Sequence, residues 1–201
     1  MRDNPPERTE FDFGELYDFI VFIAHSFLCP SEWELLQNKR IRVFSDDGID
    51  LLVISVPNSK TKNAKGSIDC TITEVAADLY LRKTLPRHGG KDDYLFFNDI
   101  QDRTYAGDRV SMMFKYLVRA AGLETDAYGQ AHTTYSLRHS SLRFKILKTN
   151  GNDLFRLAKN TRTSILMLEK FYPIHLSPQM PEFTRLLRTK RFWKQNKLLL
   201  E

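Results

Sequence analysis

Ile41-Arg42-Val43-Phe44, the turn Asp46-Asp47-Gly48 and Leu51-Leu52-Val53-Ile54-Ser55-Val56 interrupt a chain that otherwise reads as helix. A β-branched run, an Asp-Gly turn and a second β-branched run make a hairpin. Pro57-Asn58-Ser59-Lys60-Thr61-Lys62-Asn63 follows as a loop, and Ser67 to Ile72 reads as a third short strand. On the N-terminal side, Leu16, Phe19, Ile20, Ile23 and Phe27 fall at helical spacing, which predicts a helix over Glu15 to Phe27. Pro30 then stands at the first-turn position of a second helix running through Ser31-Glu32-Trp33-Glu34-Leu35-Leu36. On the C-terminal side, helices are expected from Glu74 to about Lys83, around Arg109 to Ala121, and over Ser136 to Lys148. Further helices are expected over Leu154 to Ala158, Ser164 to Phe171 and Glu182 to Leu200, with a polar stretch at Pro86 to Gly90. The fold class is therefore α+β, mainly helical, with a small three-stranded antiparallel sheet.

The whole sequence sets limits on the class. It has 201 residues, 42% of them hydrophobic and 27% charged, with 9 Gly and 8 Pro. These values exclude collagen-like, low-complexity and disordered chains and allow a sizeable core. Cys29 and Cys70 cannot build a disulfide framework, and no Cys/His cluster has the spacing of a zinc site, so no metal is expected. The apolar run Phe19 to Ala24 is too short to span a bilayer, and Met1 to Pro6 lacks the apolar stretch of a signal peptide. A reduced, soluble protein is the expectation.

The net charge of +5 is unevenly laid down. Residues 1–34 hold eight acids against Arg2 and Arg8, whereas residues 138–162 hold seven bases against Asp153 alone. Residues 183–201 add six bases against Glu201, so the tail matches the whole excess. Either basic segment could be a solvated helix face; the two together lean toward a surface for phosphates.

Four short stretches then occur in a telling order. Leu28-Cys29-Pro30-Ser31-Glu32 opens a helix, and Ser59-Lys60-Thr61-Lys62 lies between strands. Tyr135-Ser136-Leu137-Arg138-His139-Ser140 follows, and Leu157-Ala158-Lys159-Asn160 precedes Glu169-Lys170-Phe171-Tyr172. The ordered set, from about Phe11 to Tyr172, resembles the catalytic domain of the tyrosine recombinases, the phage-integrase family. The resemblance implies a DNA breaking-rejoining catalytic domain over residues 1–180 and a basic amphipathic helix or tail over 181–201. It also implies that the N-terminal core-binding domain of full-length relatives is absent. A type IB topoisomerase would share the chemistry, but the short hairpin loop and the Leu-Arg-His-Ser box look more like integrases.

The implied reaction uses a tyrosine hydroxyl to break a DNA phosphodiester, leaving a 3′-phosphotyrosyl bond and a 5′-hydroxyl, then rejoins strands by the reverse step. No metal or other cofactor takes part, so cationic side chains must neutralise the developing phosphoryl charge. Guanidinium groups suit that work because one can donate two hydrogen bonds to one phosphate. By resemblance, Tyr172 is the nucleophile, Arg138 clamps the scissile phosphate and Lys60 is the general acid, with Lys62 competing for that role. Tyr135 stands where the family's box opens with His; a phenol donates a hydrogen bond but accepts a proton poorly at neutral pH. Lys159 falls at a later position that is often His or Trp and is expected to contact phosphate. Lys62, Arg143, Lys145, Arg162, Arg188 and Arg191 are the further candidate DNA contacts.

The first arginine of the family belongs where Cys29 stands. A thiol carries no fixed positive charge, and loss of one preorganised donor of this kind costs ~10²–10³ in rate. Weak or absent cleavage is expected, and Cys29→Arg is expected to raise it. Double-stranded DNA is the expected partner, with self-association on DNA into a tetrameric synapse implied by the family. The setting implied is the cytoplasm of a bacterium, or of one carrying a phage or prophage, and the role is integration or excision of a mobile element. A binding module of the same fold with silenced catalysis is the alternative. A third reading is a structural domain whose basic tail, an amphipathic helix with Phe183, Leu186, Leu187, Trp193 and Leu198 as its apolar positions, serves protein assembly.

Overall fold

The protein is described by a computed structural model that covers residues 12–57, 67–149 and 154–171. The chain divides into two compact units, Met1–Leu142 with Asn160–Arg162, and Arg143–Lys159 with Thr163–Glu201.

In the first unit, α1 (Phe13–Ser26) begins two residues before the predicted start, because the Asp12 side chain accepts the Glu15 N–H at 2.8 Å and caps the first turn. Leu16, Phe19, Phe22 and Ile23 bury one face. The helix stops at Phe27, whose φ of 57° is left-handed. α2 (Pro30–Trp33) is shorter than expected. Its continuation is stopped by pairing elsewhere: the Leu36 carbonyl accepts the Leu95 N–H at 3.1 Å, and Gln37 bridges Tyr94.

The hairpin forms as the sequence predicts. β1 (Ile41–Asp46) and β2 (Ile49–Pro57) pair antiparallel with Asp46 opposite Ile49, so Asp47 and Gly48 form a two-residue turn, both at positive φ. β3 (Ser67–Ile72) pairs antiparallel with the other edge of β2, giving the order β1-β2-β3. Period-two alternation turns Leu52, Ile54 and Val56 inward, with Cys70 opposite Ile54, into a core shared with α1 and with Ala76 and Ala77 of α3.

α3 (Glu74–Leu79) runs on through a π turn at Tyr80–Thr84 into α4 (Leu85–Arg87). The helical path thus extends past the predicted end at Lys83, through the π turn and into the short turn of α4 that holds Pro86. α5 (Arg103–Ala120) begins six residues earlier than the apolar spacing indicates, capped by Asp102, whose side chain accepts the Thr104 and Tyr105 N–H groups at 3.0 and 3.1 Å. Just inside that start, Arg103 donates to four backbone carbonyls: Glu34, Phe96, Phe97 and Ile100, at 2.8–2.9 Å. Its guanidinium also lies 4.0 Å from the centre of the Tyr94 ring. That one side chain ties the α2–β1 connection to the loop before α5.

α6 (Thr134–Lys148) begins in the first unit and ends in the second. The second unit continues with α7 (Leu154–Asn160) and α8 (Ile165–Phe171). α8 is capped by Ser164, whose hydroxyl accepts the Met167 N–H at 3.1 Å. Among the described residues, no helix is long and apolar enough to cross a membrane.

Candidate functional site

The left-handed turn at Phe27, the first turn of α2 and the first turns of α6 meet around one carbonyl oxygen. Glu32 stands three residues after Cys29, the spacing at which a side chain folds back on the residue that starts its helix. Its Oε2 accepts the Cys29 N–H at 2.7 Å, while the Cys29 carbonyl accepts the Glu32 N–H at 2.9 Å. Cys29 is thereby buried with its thiol inside the unit, and it is a free cysteine, as is Cys70. Burial raises the pKa of the Cys70 thiol.

Arg138, on the second turn of α6, is 4% exposed. Its Nη1 donates to the Phe27 carbonyl and its Nη2 to the Thr161 carbonyl at 2.6 Å. Three residues before it, Tyr135 is exposed, and its ring stands edge-on to that of His139, 4.7 Å between centres. Burial and the Arg138 charge lower the His139 pKa, which favours the neutral imidazole.

Arg162 reads in the sequence as one basic residue among seven. In the fold its side chain is 6% exposed and turned onto Glu32, with Nε at 3.1 Å from Oε1 and Nη2 at 2.7 Å from Oε2. This fork is the bidentate arrangement that charge-assisted hydrogen bonds favour. Nη2 also reaches the Phe27 carbonyl at 3.3 Å and Nη1 the Asn160 carbonyl at 3.2 Å. The Phe27 carbonyl therefore receives both guanidiniums. The backbone of Arg162 is left-handed, with φ of 57°. Burial alone would raise the Glu32 carboxyl pKa, but the Arg162 hydrogen bond and charge, the Cys29 amide and Arg138 outweigh it and hold it below its ordinary value. Burial likewise disfavours the Arg162 cation, and Glu32 more than reverses this, raising its pKa.

Of the predicted site residues, the fold thus gathers Arg138, Arg162 and Cys29 in one buried cluster around Glu32 and the Phe27 carbonyl and keeps Tyr135 on the same helix as Arg138. Arg143, Lys145 and Lys159 are exposed and belong to the second unit. Lys60, Lys62, Tyr172, Arg188 and Arg191 lie outside the described residues, as does the tail 181–201. Sequence reasoning missed Glu32 as the anion of the pocket. The signal was present, since Cys29 to Glu32 has capping-box spacing.

No family model matches the sequence, and no curated protein matches it. Solved structures do. XerA recombinase matches with a TM-score of 0.56 at 17% identity over 87% of this chain and 57% of its own. The Tn1549 transposon integrase in complex with circular intermediate DNA matches with a TM-score of 0.56 at 19% identity, over 89% of this chain and 62% of its own. XerH site-specific recombinase bound to its difH substrate, in a pre-cleavage complex, matches with a TM-score of 0.51 at 18% identity over 82% of this chain and 50% of its own. The chain thus spans about half to three-fifths of the length of these proteins. The chain, with its helices around a three-stranded antiparallel sheet, thus shares the fold of these recombinases and this integrase.

Proposed function

We propose that this chain is the catalytic module of a site-specific DNA recombinase, acting in integration or excision of a mobile element. The Tyr172 hydroxyl attacks the scissile phosphorus and gives up its proton to solvent water; a Tyr172 Oη–P bond forms and the P–O5′ bond breaks. Lys60 gives its proton to the departing 5′-oxygen. Arg138 neutralises the charge that builds on the phosphoryl oxygens, and the rejoining step runs the same sequence backwards. Tyr135 donates a hydrogen bond toward the same phosphate and Lys159 contributes a cation. Exposed Arg143 and Lys145 track the duplex backbone, which makes binding steeply dependent on salt. Self-association on DNA, with the segment after Tyr172 reaching a neighbouring copy, completes the synapse.

One observation carries this reading: Arg138, in the Leu-Arg-His-Ser box, is buried at the start of α6 and anchored through two backbone carbonyls beside a second guanidinium. The test is incubation with a nicked suicide duplex that traps a covalent intermediate. A protein–DNA adduct that disappears in Tyr172→Phe is expected. DNA bound without any adduct would overturn cleavage. It would favour the second reading, a silenced DNA-binding module, which draws its support from the thiol at position 29.

A further inference from the structure

Position 29 lacks the cation that the resemblance places there, yet the pocket around it does not lack a second cation. The Glu32 carboxylate that accepts the Cys29 N–H at 2.7 Å is the same carboxylate that holds the Arg162 fork. Arg162 and Arg138 also converge on one acceptor, the Phe27 carbonyl, from opposite ends of the sequence segment 138–162. Two guanidiniums and one carboxylate leave this cluster with a formal charge of plus one. An arginine at position 29, with none at 162, would give the same total.

The backbone supports the same conclusion. Arg162 has a φ of 57°, a conformation that residues with a Cβ adopt rarely and at a cost. Its side chain is 6% exposed, so a long cationic group has been taken out of water as well. A surface arginine would need neither. Both are offset here by the two-point contact with Glu32 and the bonds to the Phe27 and Asn160 carbonyls.

We propose that Arg162 supplies, from the turn after α7, the second positive charge of the phosphate-binding pocket that Cys29 does not, so that positions 29 and 162 are alternative seats for one guanidinium. The small buried thiol leaves room for the Arg162 fork, and the fork fixes Glu32 and the Phe27 carbonyl, which in turn orient Arg138. Arg162 is a positioning residue in this account: it acts on the phosphate through its field and through Arg138. The inference rests on the strand-cleavage reading above for its functional half only; the exchange of seats stands on the pocket itself. It also revises the expectation for Cys29→Arg. With Arg162 in place, that substitution would bring three guanidiniums into a cluster that holds one buried carboxylate.

The experiment is a double-mutant cycle on the full chain with Cys29→Arg, Arg162→Gly and the two combined. Glycine at 162 accepts the left-handed backbone, so it removes the side chain without adding strain. Each single variant is expected to melt lower by roughly 6–15 °C, one through a surplus buried cation and the other through an unpaired Glu32. The combined variant should regain at least half of that loss. Additive losses, a combined variant that fails to fold, or Cys29→Arg as stable as the parent would each overturn the proposal. If both singles fail to fold and the combined variant folds, the proposal is upheld.

Adduct formation on the nicked duplex, measured well below every melting point, reads the functional half. Folded Arg162→Gly should form adduct ~10²-fold more slowly at saturating DNA, and the combined variant should restore the parent rate. Arg162→Lys, which keeps the charge but loses the fork, should fall between. A merely structural Arg162 would leave folded Arg162→Gly cleaving at the parent rate, and that result would overturn the proposal. A parent chain that forms no adduct counts against the strand-cleavage reading instead, and the melting cycle then decides the exchange of seats alone.

Discussion

Two buried arginine sites in the first unit use the same side chain in opposite ways. Arg103 donates to four neutral carbonyls and stacks on Tyr94; no carboxylate forms an ion pair with it among the described residues. Burial lowers its pKa, and the nearby charges only partly compensate. Arg138 and Arg162 instead share a carbonyl next to Glu32, and the Arg162 pKa is raised. At Arg103 the guanidinium is a cross-link between loops, bonded to neutral carbonyls. At the Glu32 pocket the positive charge is concentrated, balanced by a single anion, and sits at the start of the helix that carries the Leu-Arg-His-Ser box. The difference separates an arginine bonded to neutral carbonyls from a pair gathered beside a carboxylate, of which Arg138 is the one proposed above to meet a phosphate.

Substitutions sharpen this contrast. Arg103→Met should lower stability by about 3–5 kcal/mol in urea titration, since four buried carbonyls lose their donor, while folded protein keeps its DNA affinity. A loss of DNA binding in folded Arg103→Met would erase the distinction. Glu32→Gln should cost about 2–3 kcal/mol, because Arg162 and the Cys29 amide lose a charged acceptor.

The same carboxylate sets an acid dependence. Its folded pKa lies below the ordinary glutamate value, so its stabilisation is fully present above that ordinary value and is lost as pH falls through the lower, folded one. Melting temperature should therefore fall less steeply with acid in Glu32→Gln than in the parent. Away from both arginine sites, Asp102→Ala removes the cap of α5 and should cost about 1 kcal/mol. Gly48→Ala, in the turn at φ of 78°, should cost a similar or smaller amount, about 0.5–1 kcal/mol.

Much of the architecture was legible in the chain. The Asp47-Gly48 turn and the flanking β-branched runs specify the hairpin, and the alternation of Leu52, Ile54 and Val56 specifies its buried face. Element ends were less legible. Nothing local stops α2 at Trp33; the Leu36 carbonyl is taken by Leu95, 59 positions away in sequence, a long-range partner that periodicity does not encode. The start of α5 follows from Asp102, a capping residue with few apolar residues behind it to announce a helix. In the candidate site, Arg138 and Cys29 were found because ordered motifs name them. Arg162 was named only among the candidate DNA contacts, since its inward turn depends on a left-handed backbone and on Glu32, 130 positions earlier.

The most direct measurement is the rate of covalent adduct formation on the nicked suicide duplex for the parent chain, Arg138→Ala and Arg103→Met, each at saturating DNA and on folded protein. The account predicts a rate that falls ~10²–10³-fold in Arg138→Ala and stays near the parent value in Arg103→Met. An undiminished rate in Arg138→Ala would contradict it.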